Sequence, residues 1–535
     1  MKREIIGKGT WLDKLASNII EREKGIGRSV DLILVESGLG ASGFPHIGSL
    51  GDAVRAYGVS LAIKNLGYDS KLIAYSDDLD GLRKIPSGLP AWLSEHIGKP
   101  VSSIPDPMGE CHESYGAHMS SLLLDALDRL EINYEFLNAA KVYGQGMLSN
   151  QIDKILIDAP NLGNKIEEIV GQSKYKESLP YFPICESCGR LYVAKAEKYI
   201  KEEKKVNYVC SGTKLGNIDL KGCGYEGEIP IMTGQGKLAW KVEFAARWNA
   251  LGIRFEAYGK DIMDSVRVND WVSDNVLNYA HPFHVKYEMF LDKGGKKISK
   301  SIGNVLTPQI WLRYGSTQSL LLLLFKRITG TRQIGIDDIP SLMEEYDDYE
   351  DIYFGKKREN NPDKLLKTKG LYEFINHLHT SKEPLQHVPY MLMVQQASFF
   401  SGDDRIKKIF DRLVKYKVAR DLTSDLKQKI LLACNWSDDH ASREKFDVVL
   451  TEKEKTIIRK ILNGIDSEDS ASNLDSEEIQ QLIYETSKQY EEQPRKIFRL
   501  LYKMLINADS GPKLGGYIID LGKHRIRSML EPYVS

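Results

Sequence analysis

Hydrophobic and polar positions divide this chain into blocks of different period. Residues 10–24 (TWLDKLASNIIEREK) place apolar side chains at helical spacing, which predicts an amphipathic N-terminal helix packed against the neighbouring domain. The short apolar run 32–36, bounded by turn residues, predicts a buried strand. A helical pattern over 46–66 and a second apolar run at 71–75 complete a βαβ unit. Such a unit implies a parallel sheet with a right-handed crossover and with ligands at the carboxyl ends of its strands. From about Pro86 to Pro230 the rhythm is interrupted, as by an insertion. Alternation returns with a helix over 243–251 and strands at 254–258 and 284–291. After Leu320 the pattern is helical almost to the end, with polar stretches at 355–370 and 465–478 that read as linkers or loops.

Length and charge narrow the class. A chain of 535 residues suggests two to four domains. With 73 basic against 74 acidic residues it is no polycation that coats nucleic acid unselectively, though local basic surfaces are allowed. The charged first ten residues do not resemble a signal peptide, and the longest apolar run, 320–325, is too short to span a bilayer. Six cysteines in such a chain point to a reducing cytoplasm, and to metal or free thiols rather than disulfides.

The stretch LILVESGLGASGFPHIGSL (32–50) carries the first chemistry. A strand feeds Gly38, Gly40 and Gly43, where the backbone can bend and approach a ligand, and then Pro45 and His46 open a helix. Free N–H groups and the positive end of the helix dipole make an anion site there, with His46 as an added donor beside Gly48 and Ser49. Far down the chain, Lys296-Lys297-Ile298-Ser299-Lys300-Ser301 supplies a basic loop after the same sheet, and the pair reads as the two sides of an ATP site. Gly38-x-Gly40-x-x-Gly43 also matches the dinucleotide fingerprint. Pro45 and His46 intervene before the helix, however, and no acid follows at a strand end about 20 residues on. The second strand ends in Asp77, Asp78 and Asp80, which suit a cation, a ribose or a solvated turn.

Two cysteine groups lie in the interruption. Cys185-x2-Cys188 is a metal knuckle, and Cys210 and Cys223 supply two further thiolates for a tetrahedral zinc. Asp106, Cys111, His112 and His118 offer a carboxylate, a thiolate and two imidazoles, enough for a second zinc or equally a polar loop. Cys434 stands alone, as a small core residue. Basic residues in the last helices (Arg495, Lys496, Arg499, Lys503, Lys523, Arg525, Arg527) suit either phosphate contacts or a solvated face.

HIGS followed by KISKS resembles the HIGH and KMSKS signatures of class I aminoacyl-tRNA synthetases. The surrounding words (ESGLGASGFPHIGS, SDDLDGLRKIP, DPMGECHESYGAHM, KLAWKVEFAARWNALGIRFEAYGKD and YEMFLDKGGKKISKSIGN) resemble the class I lysyl-tRNA synthetases found mainly in archaea. The resemblance covers most of residues 1–330; beyond 371 it rests on helical character and SGPKLGGYI. It implies an α/β Rossmann-like catalytic domain in two halves, 1–85 and 231–310. It also implies a zinc-bearing insertion at 86–230, a helical connecting domain at 311–370 and an all-α anticodon-binding domain at 371–535. The implied reaction forms lysyl-adenylate from L-lysine and ATP, then passes the lysyl group to tRNA(Lys). By motif match, His46, Gly43, Gly48 and Ser49 hold ATP, with Lys297, Ser299, Lys300 and Ser301 on the loop that meets the pyrophosphate. His46, Lys297 and Lys300 are the catalytic set. Gly38, Gly40, Asp77, Asp78, Trp240 and Tyr287 are the lysine-pocket candidates. Mg2+ is expected with ATP, and the family pattern favours the second zinc site. No DNA or membrane partner is expected.

This chain departs from the common family pattern at Gly40, Ala41, Ser49 and Ile262, all within the site. The competing readings are another class I synthetase, for glutamate or cysteine, and a non-catalytic tRNA-binding paralogue. The acids after the second strand favour a cationic substrate over glutamate.

Overall fold

The computed structural model describes residues 5–288, 290–296, 298, 306–440, 448–466 and 474–534. The chain forms two compact units. One comprises Met1–Gln309, Leu321–Gly335 and Asn361–Thr380; the other comprises Ile310–Leu320, Ile336–Asn360 and Ser381–Ser535.

Five parallel strands organise the first unit: β1 (Leu32–Leu39), β2 (Asp69–Ser76), β3 (Glu135–Asn138), β4 (Ile253–Gly259) and β5 (Phe283–Tyr287). They lie in the order β5-β4-β1-β2-β3. Strand order reverses at β1, so the crevice past the ends of β1 and β4 is a topological switch point, where such sheets bind ligands. Helix α1 (Trp11–Gly25) starts at a capping box formed by Thr10 and Asp13. Helix α2 (Ile47–Asn65) is buried on nearly every side, which explains why its sequence is apolar all round rather than amphipathic. Helix α3 (Trp240–Leu251) is likewise almost wholly buried and leads into β4.

Three sequence expectations change. The interruption over 86–230 is not one insertion. Helix Tyr115–Arg129 and β3 return to the parallel sheet, where Glu135 pairs with Ile73. The segment EFLN is a short, half-exposed edge strand with no apolar run to announce it. The strand expected over 284–291 is two pieces: β5, and Phe290–Leu291, which pairs with Arg332–Gln333. The polar stretch 355–370 becomes helical within helix Pro362–Ile375, which belongs to the first unit. Asn361 caps it by accepting the amides of Asp363 and Lys364, and Pro362 fills the first turn, an Asn-Pro helix start rather than a linker. Gly370 lets that helix approach the chain start, since a Cβ there would lie 2.4 Å from the Lys8 carbonyl oxygen.

Beyond β3, short helices and a three-stranded antiparallel sheet (Ala194–Ile200, Lys205–Cys210, Glu226–Pro230) precede α3. In the second unit every described element is helical or 3-10 helical. Several basic residues of its last helices are already paired. Lys496 meets Glu454 at 2.9 Å, and Arg499 and Lys503 meet Asp509 at 2.6 and 3.3 Å. Arg527 meets Asp466 and Glu531. Among the described residues no helix is long and apolar enough to cross a membrane.

Candidate active site

β1 continues past Glu36 to Leu39, so Gly38 is a strand residue opposite Tyr75. A Cβ on Gly38 would meet only Asp77 Oδ2, at 3.8 Å; glycine here leaves open space above the strand. The chain then passes Gly40 and Gly43 and reaches His46, the N-cap of α2. His46 Nδ1 accepts the Ser49 amide at 3.1 Å. That role puts the imidazole proton on Nε2, which makes His46 a donor on its other edge. The ring folds back over residue 48, where a Cβ would lie 2.8 Å from its Cε1; Gly48 is what permits the fold-back. The amides of the first turn of α2 complete an anion-binding helix start.

A cavity of about 260 Å³ opens over the ends of β1, β4 and β5, lined by Gly40, His46, Gly48, Asp77, Trp240 and Tyr287 among others. Asp77 and Glu256 of its lining belong to a larger acidic group. Glu36 of β1 and Glu256 of β4 are register partners on adjacent strands, so two carboxylates lie side by side. Arg247, from the buried face of α3, bridges them. Its Nε meets Glu36, and its Nη atoms reach Glu256 and Asp77 at 3.3 Å each. The guanidinium also lies 4.3 Å from the Tyr75 ring centroid. Three carboxyls thus share one guanidinium; Glu36, Asp77 and Arg247 are buried, and Glu256 is half-buried. Burial raises Glu36 well above the ordinary carboxylate range despite the opposing pull of Arg247. Burial also lifts Asp77 to about 7, again against Arg247. Next to them Asp80 meets the buried Lys237, which also meets Glu243 at 3.0 Å, and Trp240 Nε1 donates to Asp80 at 3.3 Å. Arg55 lies 4.9 Å from the Tyr287 ring centroid and 3.7 Å from Asp52. The cavity thus joins a helix start suited to anions with a lining in which carboxyls (Asp52, Asp77, Glu256, Asp261, Glu288) outnumber the guanidiniums of Arg55 and Arg247.

Both metal-type groups assemble. The thiols of Cys185, Cys188, Cys210 and Cys223 all lie within 4.8 Å of one another, with 3.6 Å for Cys185–Cys223 and 3.9 Å for Cys188–Cys210. Tetrahedral Zn–S bonds of about 2.3 Å require S···S edges of about 3.8 Å, so the donor set fits zinc. The knuckle closes as the Gly189 amide donates to the Cys185 carbonyl at 2.8 Å. In the second group Cys111 Sγ lies 3.2 Å from Asp106 Oδ2 and 3.1 Å from His112 Nδ1. His118 Nδ1 lies 3.2 Å from His112 Nδ1 and 3.0 Å from Asp106 Oδ2. Edges of about 3.3–3.7 Å are what mixed N, O and S ligands at zinc require.

Residues 9–377 match the family of class I tRNA synthetases (K). The chain is 51% identical to a lysine–tRNA ligase of Cenarchaeum symbiosum (strain A), over 98% of this chain and 99% of that protein. It is 30% identical to a lysine–tRNA ligase of Rickettsia africae (strain ESF-5), over 99% of this chain and 98% of that one. The chain belongs to the class I (K) tRNA synthetases. In this synthetase the structure gathers Gly38, Gly40, His46, Gly48, Asp77, Trp240 and Tyr287 around one cavity. Ser49 stands in the first turn of α2, with its amide on His46. Asp78 is used by the fold: its carboxylate accepts the Ala140 amide at 2.9 Å, and it is not among the residues lining the cavity. Lys297, Ser299, Lys300 and Ser301 lie outside the described residues; between them Ile298 is buried on the cavity wall. Sequence reasoning missed Glu36, Arg247, Glu256, Asp52 and Arg55. Glu243 and Arg247, charged and four apart inside the apolar helix WKVEFAARWNAL, were the available signal.

Proposed function

We propose that this protein is an ATP-dependent lysine–tRNA ligase. The reading is supported by the family, by the lysine–tRNA ligases it resembles over their full length, and above all by one observation. The cavity that holds the His46 helix start is lined by Asp77 and Glu256, which share the Arg247 guanidinium with the fully buried Glu36. An ammonium placed about 4 Å from one such carboxylate gains about 4 kcal/mol at an effective dielectric of about 20, whereas a glutamate side chain would be repelled.

In the first step the lysine carboxylate attacks the ATP α-phosphorus, and pyrophosphate leaves with its electron pair. Charge grows on the phosphoryl oxygens, so catalysis is positioning plus fixed positive charge, with no protein nucleophile. His46 Nε2–H and the α2 amides, opened by Gly43, Gly48 and Ser49, hold nucleotide phosphates. Lys297 and Lys300, with Ser299 and Ser301, neutralise the pyrophosphate. Asp77 and Glu256, tied through Arg247 to the buried Glu36, face the substrate ammonium, Gly38 and Gly40 leave it room, and Trp240 and Tyr287 wall it. Asp78 acts by holding the turn that carries Asp77. Mg2+ accompanies ATP, bound largely by phosphates and water. In the second step a ribose hydroxyl of the tRNA 3′ terminus attacks the lysyl carbonyl and AMP leaves. Cys185, Cys188, Cys210 and Cys223 would hold one Zn2+, and Asp106, Cys111, His112 and His118 a second, each supplying a structural cross-link between loops. The helical second unit reads the anticodon.

The test is aminoacylation of unfractionated tRNA with each labelled amino acid in turn. Lysine alone should become acid-precipitable. Charging with glutamate or cysteine, or with nothing, overturns the reading.

A further inference from the structure

Lys237 is a buried base that takes no part in the chemistry of the cavity. It stands in the short strand Gly236–Leu238, which pairs with Tyr181–Pro183 just ahead of α3. Its side chain is 1% exposed, and it is not among the residues lining the active cavity. Burying an ammonium is costly unless acids meet it. Here acids from different elements do so: Asp80 from the turn after β2, and Glu243 from the first turn of α3, at 3.0 Å. Burial works against the charge, but Asp80 and Glu243 outweigh it and hold the ammonium well above its ordinary range. Glu243 is steadied in turn by Tyr143, whose hydroxyl donates to it at 2.9 Å and accepts the Leu238 amide at 3.1 Å. The result is a fixed ammonium aimed at Asp80.

Asp80 carries that order to the cavity wall. Its Oδ1, the oxygen that meets Lys237, also accepts the Trp240 Nε1–H at 3.3 Å. The Trp240 main chain is pinned separately. Its carbonyl accepts Asn269 Nδ2 at 2.8 Å, while Asn269 Oδ1 accepts the Ala245 amide at 2.9 Å. Main-chain pinning leaves an indole free to turn about its side-chain bonds, and this ring is only half-buried. Phe244 and Arg83 lie farther off, at 5.7 and 6.0 Å from the ring. The bond from the indole N–H to Asp80 is what sets the ring plane, and Asp80 makes it from the place that Lys237 gives it.

We propose that Lys237 is a positioning residue for amino-acid binding: it holds Asp80 so that Asp80 fixes the Trp240 indole as a wall of the cavity, and it does not itself touch the substrate. The inference rests on the ligase reading, in which Trp240 walls the lysine side chain. It is tested by ATP–pyrophosphate exchange with lysine. Lys237→Met removes the ammonium, and Asp80→Ala leaves the Lys237–Glu243 pair intact. Each should raise lysine KM at least about fivefold, with kcat and ATP KM within about twofold of the wild type. Lys237→Met with Glu243→Gln keeps the charge balance; it should behave as Lys237→Met does and carries the test if that variant alone does not fold. None of these changes should raise lysine KM further in a Trp240→Phe background, because the N–H they act through is gone. Lys237→Met with Asp80→Asn removes both charges but keeps an amide oxygen for the indole, and should bring lysine KM back toward the wild-type value. In parallel, the Trp240 indole N–H resonance in the NMR spectrum of isotope-labelled protein, identified by its loss in Trp240→Phe, should move in Lys237→Met and return in the variant with Asn at position 80. An unchanged lysine KM, an unmoved indole resonance, equal losses in kcat and ATP KM, or the same rise in lysine KM in the Trp240→Phe background would overturn the proposal. Failure of the unmodified enzyme to exchange with lysine would overturn the ligase reading instead, and the indole resonance would still decide whether Lys237 holds Trp240.

Discussion

At Asp77 two forces oppose each other. Burial lifts its carboxyl to about 7, while the Arg247 guanidinium pulls it down. Between its unfolded value near 4 and this folded value the native protein binds a proton that the unfolded chain does not, so this group's contribution to stability falls as pH rises through the window. A bound ammonium favours the ionised form and expels that proton. Lysine should therefore bind more tightly as pH rises from about 6 to 8, and Asp77→Asn should raise lysine KM at least tenfold, flatten that dependence and leave ATP KM unchanged. Steady-state kinetics across pH checks all three. Arg247 is the complementary case. Replacing it by Met strands the buried carboxyls of Glu36 and Asp77 and the half-buried one of Glu256, a loss of about 3–5 kcal/mol. Thermal unfolding should show a fall of several degrees or more in Tm, partly recovered at low pH where the carboxyls protonate. His46 and Asp77 were legible in the sequence because they sit in motif words at strand ends. Glu36 and Glu256 were not, because their adjacency comes from register between strands distant in sequence. Arg247 was hidden by the usual rule that a charged helical residue faces water.

Elements were legible where their period was strong. α1, α2, β2 and β4 fall within a few residues of the patterns that announced them. β3 was missed because an exposed edge strand needs no apolar alternation, and helix Pro362–Ile375 because its polar composition masked an Asn-Pro start. The knuckle Cys185-x2-Cys188 was readable from spacing, and Cys210 and Cys223 were expected as its partners; the strand Lys205–Cys210 and the loop after Lys221 that carry them to it were not. Elemental analysis of the purified protein should find two zinc ions per chain. Cys188→Ser should remove one of them and His118→Ala the other, each without altering lysine KM by more than about twofold. A single zinc in the unmodified protein would remove the Asp106 group from the metal sites.

On the scale of the whole molecule, the strand order β5-β4-β1-β2-β3 is decisive. It brings the turn after β1, the acid after β2 and the ends of β4 and β5 to one crevice, so that a helix start suited to phosphates and a carboxylate group suited to an ammonium share one cavity. No local pattern in the chain reveals that reversal. It follows from which strands pair, and those are set by burial over hundreds of residues. The central claim is that this cavity activates a cationic amino acid, and ATP–pyrophosphate exchange with each of the twenty amino acids, with and without total tRNA, tests it most directly. Exchange should occur with lysine, and with no other amino acid above about one hundredth of that rate. Exchange with a neutral or acidic amino acid instead, or with none under either condition, would contradict it.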